Sequence, residues 1–541
     1  MIAALLFVIS LNVVGWGQPH ISPSLSVISS GVGFALFWFF LFKFQRRQKR
    51  FLFSAAWFFG VQLIQLSWLA SPTYQGNYIY FVYLALSLWL GFQFGILSLF
   101  FPEKGPIPPK IILGIAGLWV LMEWGRLFIL CGFAWNPLGL SMTGFPVQGQ
   151  LASVFGVFGL SFLVVIVNLL ATNFFLAPRK KTFLAFGGFF LFPYLFGGAH
   201  LAYHDVKEKE GLFHAALIQT ALLPDEKELH AGKEDRFVHP YLQWYHVLNH
   251  LKQHEEKDLD LIVLPEYAVP FSSHAAVYPL SEIQQVIGDE LGDLTSLLKE
   301  PLAEKRNEKW FVSNAFLVQA LANHLDAEIV IGMDGESDEK NYNAAFHFIP
   351  HHHEILRYEK RILLPLAEYL PFAFLKPLVA RYGIINFFTR GNKTKITEGK
   401  YPMSLSVCYE ECFPHIMRKG RQKGAKLFVN VTNDGWYPYS RLPEQHFIHG
   451  RVRAVENGVP LLRACNTGVT VGVDSLGRTI ARLENEKGKF ELEKGALYVP
   501  VNLYSFSTLY TFWGDIFILF MSLISLFFLR PLNLSSIKGF I

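Results

Sequence analysis

Charge is what this sequence has least of. Asp, Glu, Lys and Arg together make up 17% of its 541 residues, against about 25% in a typical soluble chain. Hydrophobic residues reach 52%. The deficit is uneven: residues 1–202 are long apolar runs with short polar breaks, and a last apolar run follows a polar stretch. That pattern excludes an ordinary soluble enzyme. A run of about 18 or more apolar residues can cross a bilayer. Such runs fall near 1–16, 25–44, 53–71, 78–101, 111–131, 151–177, 182–200 and 507–529. The first lacks the basic n-region and A-x-A-like site of a cleaved signal peptide, so it reads as an uncleaved span.

Lysine and arginine are missing from every second loop. "GQPHISPSL", "SPTYQGN" and "CGFAWNPLGLSMTGFPVQGQ" contain neither. The intervening loops hold Arg46, Arg47, Lys49 and Arg50, then Lys104 and Lys110, then Arg179, Lys180 and Lys181, and Arg530 and Lys538 follow the last run. The positive-inside rule then expects about eight transmembrane helices, both termini in the cytoplasm and the polar domain, 203–505, outside. The net charge of +5 comes mostly from those inner loops. It is no sign of a nucleic-acid partner.

Cysteine is scarce too. Cys131, Cys408, Cys412 and Cys465 are too few for a disulfide framework in an outward-facing domain of this size. A thiol kept in an oxidising compartment needs a reason, either packing or catalysis. No internal repeat, P-loop or dinucleotide fingerprint is present. "HHHE", 351–354, lies between the β-like runs "AAFHFI" and "EILRY", so it reads as a hairpin turn. No metal and no cofactor are expected.

From about 211 the texture changes. "FHAALIQT", "LDLIVLPE", "AEIVIGM", "NAAFHFI", "MSLSVC", "AKLFVNVT", "PLLRACN" and "TVGVDS" read as strands. "YLQWYHVLNHLKQHEE" and "EQHFIHGRVRAVENG" read as helices. Near-continuous apolar strands imply sheets covered on both faces, hence a layered α/β domain. The charged stretch 281–309 reads as a helical insertion.

Three stretches put a charged or nucleophilic group at the end of an apolar strand. "LIVLPEYAVPF" carries Glu266, "RYEKRILLPLAEYLPF" carries Lys360 and Glu368, and "MSLSVCYEECFP" carries Cys408. Sites in open α/β sheets gather beyond the carboxyl ends of strands. A thiol needs a base to become thiolate, a carboxylate can supply it, and an ammonium can stabilise the oxyanion of an attacked carbonyl. Taken singly, the glutamate is a cap or surface charge, the lysine a solvated cation and the cysteine a small core residue. Their order is what carries the reading.

The order Glu, Lys, Cys in "PEYAVPF", "YEKRILLPLAEYLPF" and "VCYEECFP" resembles the nitrilase (carbon–nitrogen hydrolase) superfamily. "ALIQTALLPDEK" resembles its first strand; "NVTNDGWY" and "RVRAVENGVPLLRACNTGVTVGVDSLGR" resemble its closing segment. With spans before and after this domain, including "WVLMEWGRLF" and "CGFAWNPLG", nearly the whole chain resembles the apolipoprotein N-acyltransferase family. The resemblance implies an α-helical membrane bundle, 1–202 and 506–541, carrying an extracytoplasmic nitrilase-like αββα sandwich in a bacterial inner membrane, facing the periplasm. It implies a Glu266–Lys360–Cys408 triad: Glu266 as base, Lys360 on the oxyanion side and Cys408 as nucleophile. The Tyr409 N–H completes the oxyanion hole, and Glu368 and Glu410 support the site.

The implied reaction is ping-pong. Cys408 takes the sn-1 acyl chain of a phospholipid, commonly phosphatidylethanolamine, as a thioester. It passes the chain to the α-amine of the diacylglyceryl-cysteine that begins an apolipoprotein, the last step of lipoprotein maturation. The resemblance also implies a monomer. Water must be kept from the thioester, and the aromatic stretches "YAVPFSSHAAVYP", "FAFLKPLVARYGIINFF" and "GWYPYS", with Trp436 and Tyr437, are candidate lipid contacts on mobile arms or else core. Where some relatives place an aromatic after the first strand, this chain offers Leu229. Glu123 and Arg126, ionisable within a span, either pair at i, i+3 or face a lipid phosphate. Gly156 and Gly159 are expected to let helices pack closely. The rival readings are a membrane-tethered nitrilase-type amidase, a transporter with a large outer domain, and an inactive binding relative.

Overall fold

The computed structural model describes residues 2–207, 211–227, 234–252, 258–287, 291, 294–337, 339–380 and 387–529. Leu229, Arg530 and Lys538 lie outside the described residues. The chain packs into two compact units. One comprises Met1–Lys207, Ser440–Asn457 and Ser507–Ile541; the other comprises Glu208–Tyr439 and Gly458–Phe506.

Among the described residues, five helices of the first unit are long and apolar enough to cross a membrane: Pro23–Leu41, Tyr78–Ser98, Pro109–Phe128, Ala152–Leu176 and Lys180–Asp205. Ala4–Trp16 and Ile516–Leu526 are apolar but shorter, and Arg47–Gln65 begins with a charged turn. Two breaks in this bundle follow a rule of apolar surroundings, where a freed backbone group must find a partner inside the protein. A π-turn over Ser29–Gly33 interrupts the first long helix. Asn168 answers it: its Oδ1 accepts from the N–H groups of Phe34 and Ala35 at 3.0 and 3.1 Å, and its Nδ2 donates to the Ser30 carbonyl at 2.6 Å. Gly156 breaks the Ala152–Leu176 helix at φ 65°, and a Cβ there would lie 2.3 Å from the Tyr510 ring. The next N–H, of Val157, donates to Glu456 Oε1 at 2.8 Å. Glu456 belongs to the helix Leu442–Asn457, which sequence places in the outer domain and which packs within the first unit.

The second unit is built on strands β1 (Leu212–Gln219), β2 (Leu261–Leu264), β3 (Tyr278–Pro279), β4 (Ala303–Arg306), β5 (Lys309–Val312), β6 (Glu328–Ser337), β7 (Lys340–Phe348), β8 (Leu356–Glu359), β9 (Met403–Val407), β10 (Leu427–Thr432), β11 (Leu461–Cys465), β12 (Val471–Val473), β13 (Thr479–Arg482) and β14 (Gly495–Asn502). Two sheets dominate, ordered β14-β1-β2-β6-β7-β8 and β13-β12-β11-β10-β9. In β1 the side-chain alternation of a strand separates two cores. Phe213, Ala215 and Leu217 join Val263, Leu405, Val429 and Leu462 in the core shared by both sheets. Ala216 and Ile218 face the other way, onto Trp244, Val247 and Phe316 from the helices Pro240–Lys252 and Asn314–Leu325. On the second sheet, Gly420 of the helix Pro414–Gln422 comes so close to Ser404 of β9 that a Cβ would lie 2.2 Å from its Oγ. Both sheets are therefore covered on both faces, in αββα order.

The charged stretch 281–309 departs from expectation. Only Leu280–Ile287 is helical; β4 and β5 pair as an antiparallel hairpin. Asn307 and Glu308, at φ 48° and 63°, form a tight two-residue connection with both central residues at positive φ, the form that matches strand twist. "HHHE" lies between the antiparallel strands β7 and β8, with His351 at φ 57°.

Candidate active site

Three strand ends build the site. β2 ends two residues before Glu266, β8 ends at Glu359 immediately before Lys360, and β9 ends at Val407 immediately before Cys408. The close approach of β6 to Glu266 requires Gly332, where a Cβ would meet the Glu266 Cα at 2.5 Å.

Lys360 Nζ donates to Glu266 Oε1 at 3.1 Å and to Glu368 Oε1 at 2.8 Å. Among the described residues its third N–H makes no further hydrogen bond. All of these side chains are buried, where an unpaired charge costs several kcal/mol. Burial opposes the Lys360 charge, yet Glu266, Glu368 and Cys408 outweigh it and hold the ammonium well above the usual lysine value. Two carboxyl groups thus face one ammonium.

Asn343 of β7, which sequence reading missed, ties the carboxylates together. Its Nδ2 donates to Glu266 Oε1 at 2.7 Å and to Glu368 Oε1 at 2.8 Å. Its carbonyl accepts the Lys360 N–H at 2.8 Å. Asn343 Oδ1 is buried and accepts no hydrogen bond among the described residues. Glu368 in turn accepts the Leu364 N–H through Oε2 at 2.8 Å.

Cys408 sits at φ 52°, in the left-handed region that a side chain other than glycine rarely takes and that recurs at active sites. Glu410 holds the turn there. Its carboxylate accepts from the Val407 N–H at 2.8 Å, the Arg361 N–H at 2.6 Å, the Ile362 N–H at 3.3 Å and the Tyr358 hydroxyl at 3.0 Å. One fully buried carboxylate thus joins the strand carrying Lys360 to the turn carrying Cys408, and burial pushes it up despite these donors. The Cys408 thiol is pushed well up by burial and by Glu266 and Asp434. Lys360 and an N–H from Asn433 pull the other way. Such a thiol rests protonated at neutral pH. Cys412, four residues on, is buried. Tyr409 packs edge-on against Phe413, ring centroids 5.0 Å apart. Trp436 is exposed and Tyr437 partly so. Phe372 and Phe374, on another of the aromatic stretches, are exposed and stacked.

In the first unit, Glu123 Oε1 accepts from the Trp119 indole and the Leu138 N–H, both at 2.7 Å, and Arg126 gives Nε to Gln93 at 2.8 Å. Arg126 also lines a small cavity of about 10 Å³, with Phe58, Gln93, Phe94, Leu97, Trp119 and Met122.

Residues 240–489 match the carbon-nitrogen hydrolase family model, and residues 21–170 match that of the apolipoprotein N-acyltransferase N-terminal domain. The apolipoprotein N-acyltransferase of Chlamydia caviae is 33% identical, over 97% of this chain and 97% of that one. That of Chlamydia trachomatis is 32% identical over 94% and 93%, and that of Geobacter metallireducens 29% over 75% and 71%. Among solved structures, a nitrilase-superfamily amidase of Nesterenkonia AN1 matches at 18% identity and a TM-score of 0.34, over 62% of this chain and 100% of that one.

Proposed function

The chain belongs to the apolipoprotein N-acyltransferase family, and from that premise we propose how its site transfers an acyl chain. The enzyme is an acyltransferase of the carbon–nitrogen hydrolase superfamily with lipid and lipoprotein substrates. Glu266 removes the Cys408 proton, and the thiolate attacks the sn-1 ester carbonyl of a phospholipid, phosphatidylethanolamine being the expected donor. Lys360 and the Tyr409 N–H receive the oxyanion. As the tetrahedral adduct collapses, the C–O bond breaks. The departing alkoxide takes the proton from Glu266 and leaves as lysophospholipid. The α-amine of a diacylglyceryl-cysteine then attacks the thioester, Glu266 takes the amine proton, and the Cys408 thiolate leaves and is reprotonated.

The observation that carries this reading is Lys360 held between Glu266 and Glu368 with one donor left over. A lone Glu–Lys pair would have no negative charge to spare once the ammonium is paired. Glu368 supplies it, so Glu266 can take a proton without leaving Lys360 unpaired. Arg126 is assigned to a lipid phosphate, with Glu123 fixing the adjoining segment. Trp436 and Tyr437 are assigned to acyl-chain contact. The missing lysines and arginines of alternate loops support both termini in the cytoplasm and residues 203–505 in the periplasm; the bacterial inner membrane and a monomer are what the family resemblance suggests. The test is full-length protein mixed with phosphatidylethanolamine and no acceptor: an acyl adduct on Cys408 that a diacylated lipopeptide discharges supports the reading. Cleavage of small soluble amides with no such adduct would favour the tethered amidase instead.

A further inference from the structure

Arg463 is a cation in the middle of a buried strand, β11, and the triad does not use it. Its Nε donates to Glu411 Oε1 at 2.8 Å, its Nη1 to the Val469 carbonyl at 2.7 Å and its Nη2 to Asp434 Oδ2 at 3.2 Å. Arg463 and Glu411 have no exposed side-chain surface and Asp434 only 2%. Both carboxylates belong to segments that touch the nucleophile. Glu411 lies three residues after Cys408, on the same turn. Asp434 follows Asn433, whose N–H reaches the Cys408 thiol, and Asp434 itself acts on that thiol through space.

The rest of the loop is fastened independently. Asn433 Oδ1 accepts from Asn466 Nδ2 at 2.9 Å and from the Gly435 N–H at 3.1 Å. The second buried thiol, Cys465, lies 3.5 Å from Asp434 Oδ2 and donates to the Thr467 carbonyl at 2.7 Å. Burial and Asp434 keep it protonated. Gly468 leaves the space this needs: a Cβ there would meet Asp434 Oδ2 at 2.8 Å and Cys465 Sγ at 3.0 Å.

We propose that Arg463 is a positioning residue for the nucleophile: by holding Glu411 and Asp434 at once it locks the Cys408 turn to the Asn433 loop, keeps the Asn433 N–H on the sulfur and neutralises the Asp434 charge beside it. Glu411 anchors the turn, and Cys465 is a packing thiol that adds a weak donor to Asp434. The titratable groups acting on Cys408 include Glu266, Lys360 and Asp434; those acting on Arg463 include Glu411, Asp434 and the protonated Cys465; and Glu491 also faces Asp434. Without the guanidinium, Asp434 opposes the thiolate unscreened. Without the Asp434 charge, the thiolate forms more readily.

The inference rests on Cys408 as the nucleophile, but its test reads thiol chemistry and not transfer. Full-length protein in detergent is alkylated with iodoacetamide across a pH series, modification of Cys408 is followed by peptide mass, and melting is recorded in parallel. Arg463→Met is expected to move the alkylation midpoint to higher pH and to slow alkylation at pH 7.5 by about tenfold, the equivalent of one pKa unit. Asp434→Asn is expected to move it to lower pH and to speed alkylation. Arg463→Lys, which keeps the charge without the fork, recovers most of the rate. Midpoints that do not move, or that move in the same direction in Arg463→Met and Asp434→Asn, overturn the proposal, since a purely structural arginine gives lower melting without opposite shifts. If Arg463→Met does not fold, Arg463→Gln against Asp434→Asn decides by the same opposition of sign. Acyl-adduct formation measured on the same samples separates failure of this proposal from failure of the acyl-transfer reading.

Discussion

Lys360 Nζ stands 3.1 Å from Glu266 Oε1, both side chains almost wholly closed off from solvent. A buried ion pair of this kind normally ends the matter: each charge is satisfied and neither reacts. Here Glu368 and Asn343 share the load, which is the basis for proposing Glu266 as the base.

That arrangement makes alkylation and acyl transfer respond oppositely to one substitution. Glu266 is among the groups that push the Cys408 thiol up. Glu266→Gln removes that charge, so the alkylation midpoint falls to lower pH, yet the general base is gone and acyl-adduct formation drops by about 10²–10⁴-fold. The two rates are measured on one preparation, and a parallel fall of both contradicts the assignment.

In the unsubstituted protein the Cys408 thiol lies well above its usual value. Its alkylation is therefore expected to be slow at neutral pH and to keep rising above pH 8.5, about where an ordinary cysteine has half-ionised. Lys360→Met, which removes a cation that pulls the thiol down, moves the rise to still higher pH. A midpoint at or below pH 8.5 in the unsubstituted protein contradicts the electrostatics described above.

Asn343→Leu leaves both carboxylates short of a buried donor, which costs about 1–3 kcal/mol of stability and loosens Glu266 against Lys360. Asn343→Asp places a third carboxylate in the cluster and is expected to abolish acyl-adduct formation. Denaturation and adduct formation check the two effects separately.

Glu410→Gln cannot accept from four donors at once. Acyl transfer is expected to fall with a loss of roughly 1–3 kcal/mol of stability, while Tyr358→Phe removes one of the donors and costs about 1 kcal/mol. Steady-state rates and melting of the two variants test the ranking.

Sequence placed Glu266, Lys360 and Cys408 at strand ends because an apolar run followed by a polar residue is visible in one dimension. It also placed Glu410, and the geometry adds what Glu410 holds. Asn343 and Arg463 were not legible. "NAAFHFI" and "PLLRACN" read as plain strands, and nothing local says which side of a strand meets a second carboxylate brought from 25 or 29 residues away. The hairpin β4–β5 was misread as helix because its charges suggested a helical face, while the signal that decides, two successive residues at positive φ, sits in "NE", a weak turn former. The helix Leu442–Asn457 was recognised from its period, but its packing in the first unit rests on contacts such as Gln445 Nε2 to Asn136 at 2.6 Å, which span most of the chain.

The most direct measurement is the intact mass of full-length protein incubated with phosphatidylethanolamine and no acceptor, beside Cys408→Ala and Cys412→Ala. The account predicts a hydroxylamine-labile acyl adduct that survives Cys412→Ala, vanishes in Cys408→Ala and is discharged by a diacylated lipopeptide. An adduct that persists in Cys408→Ala, or the absence of any adduct with phospholipid in the unsubstituted protein, would contradict it.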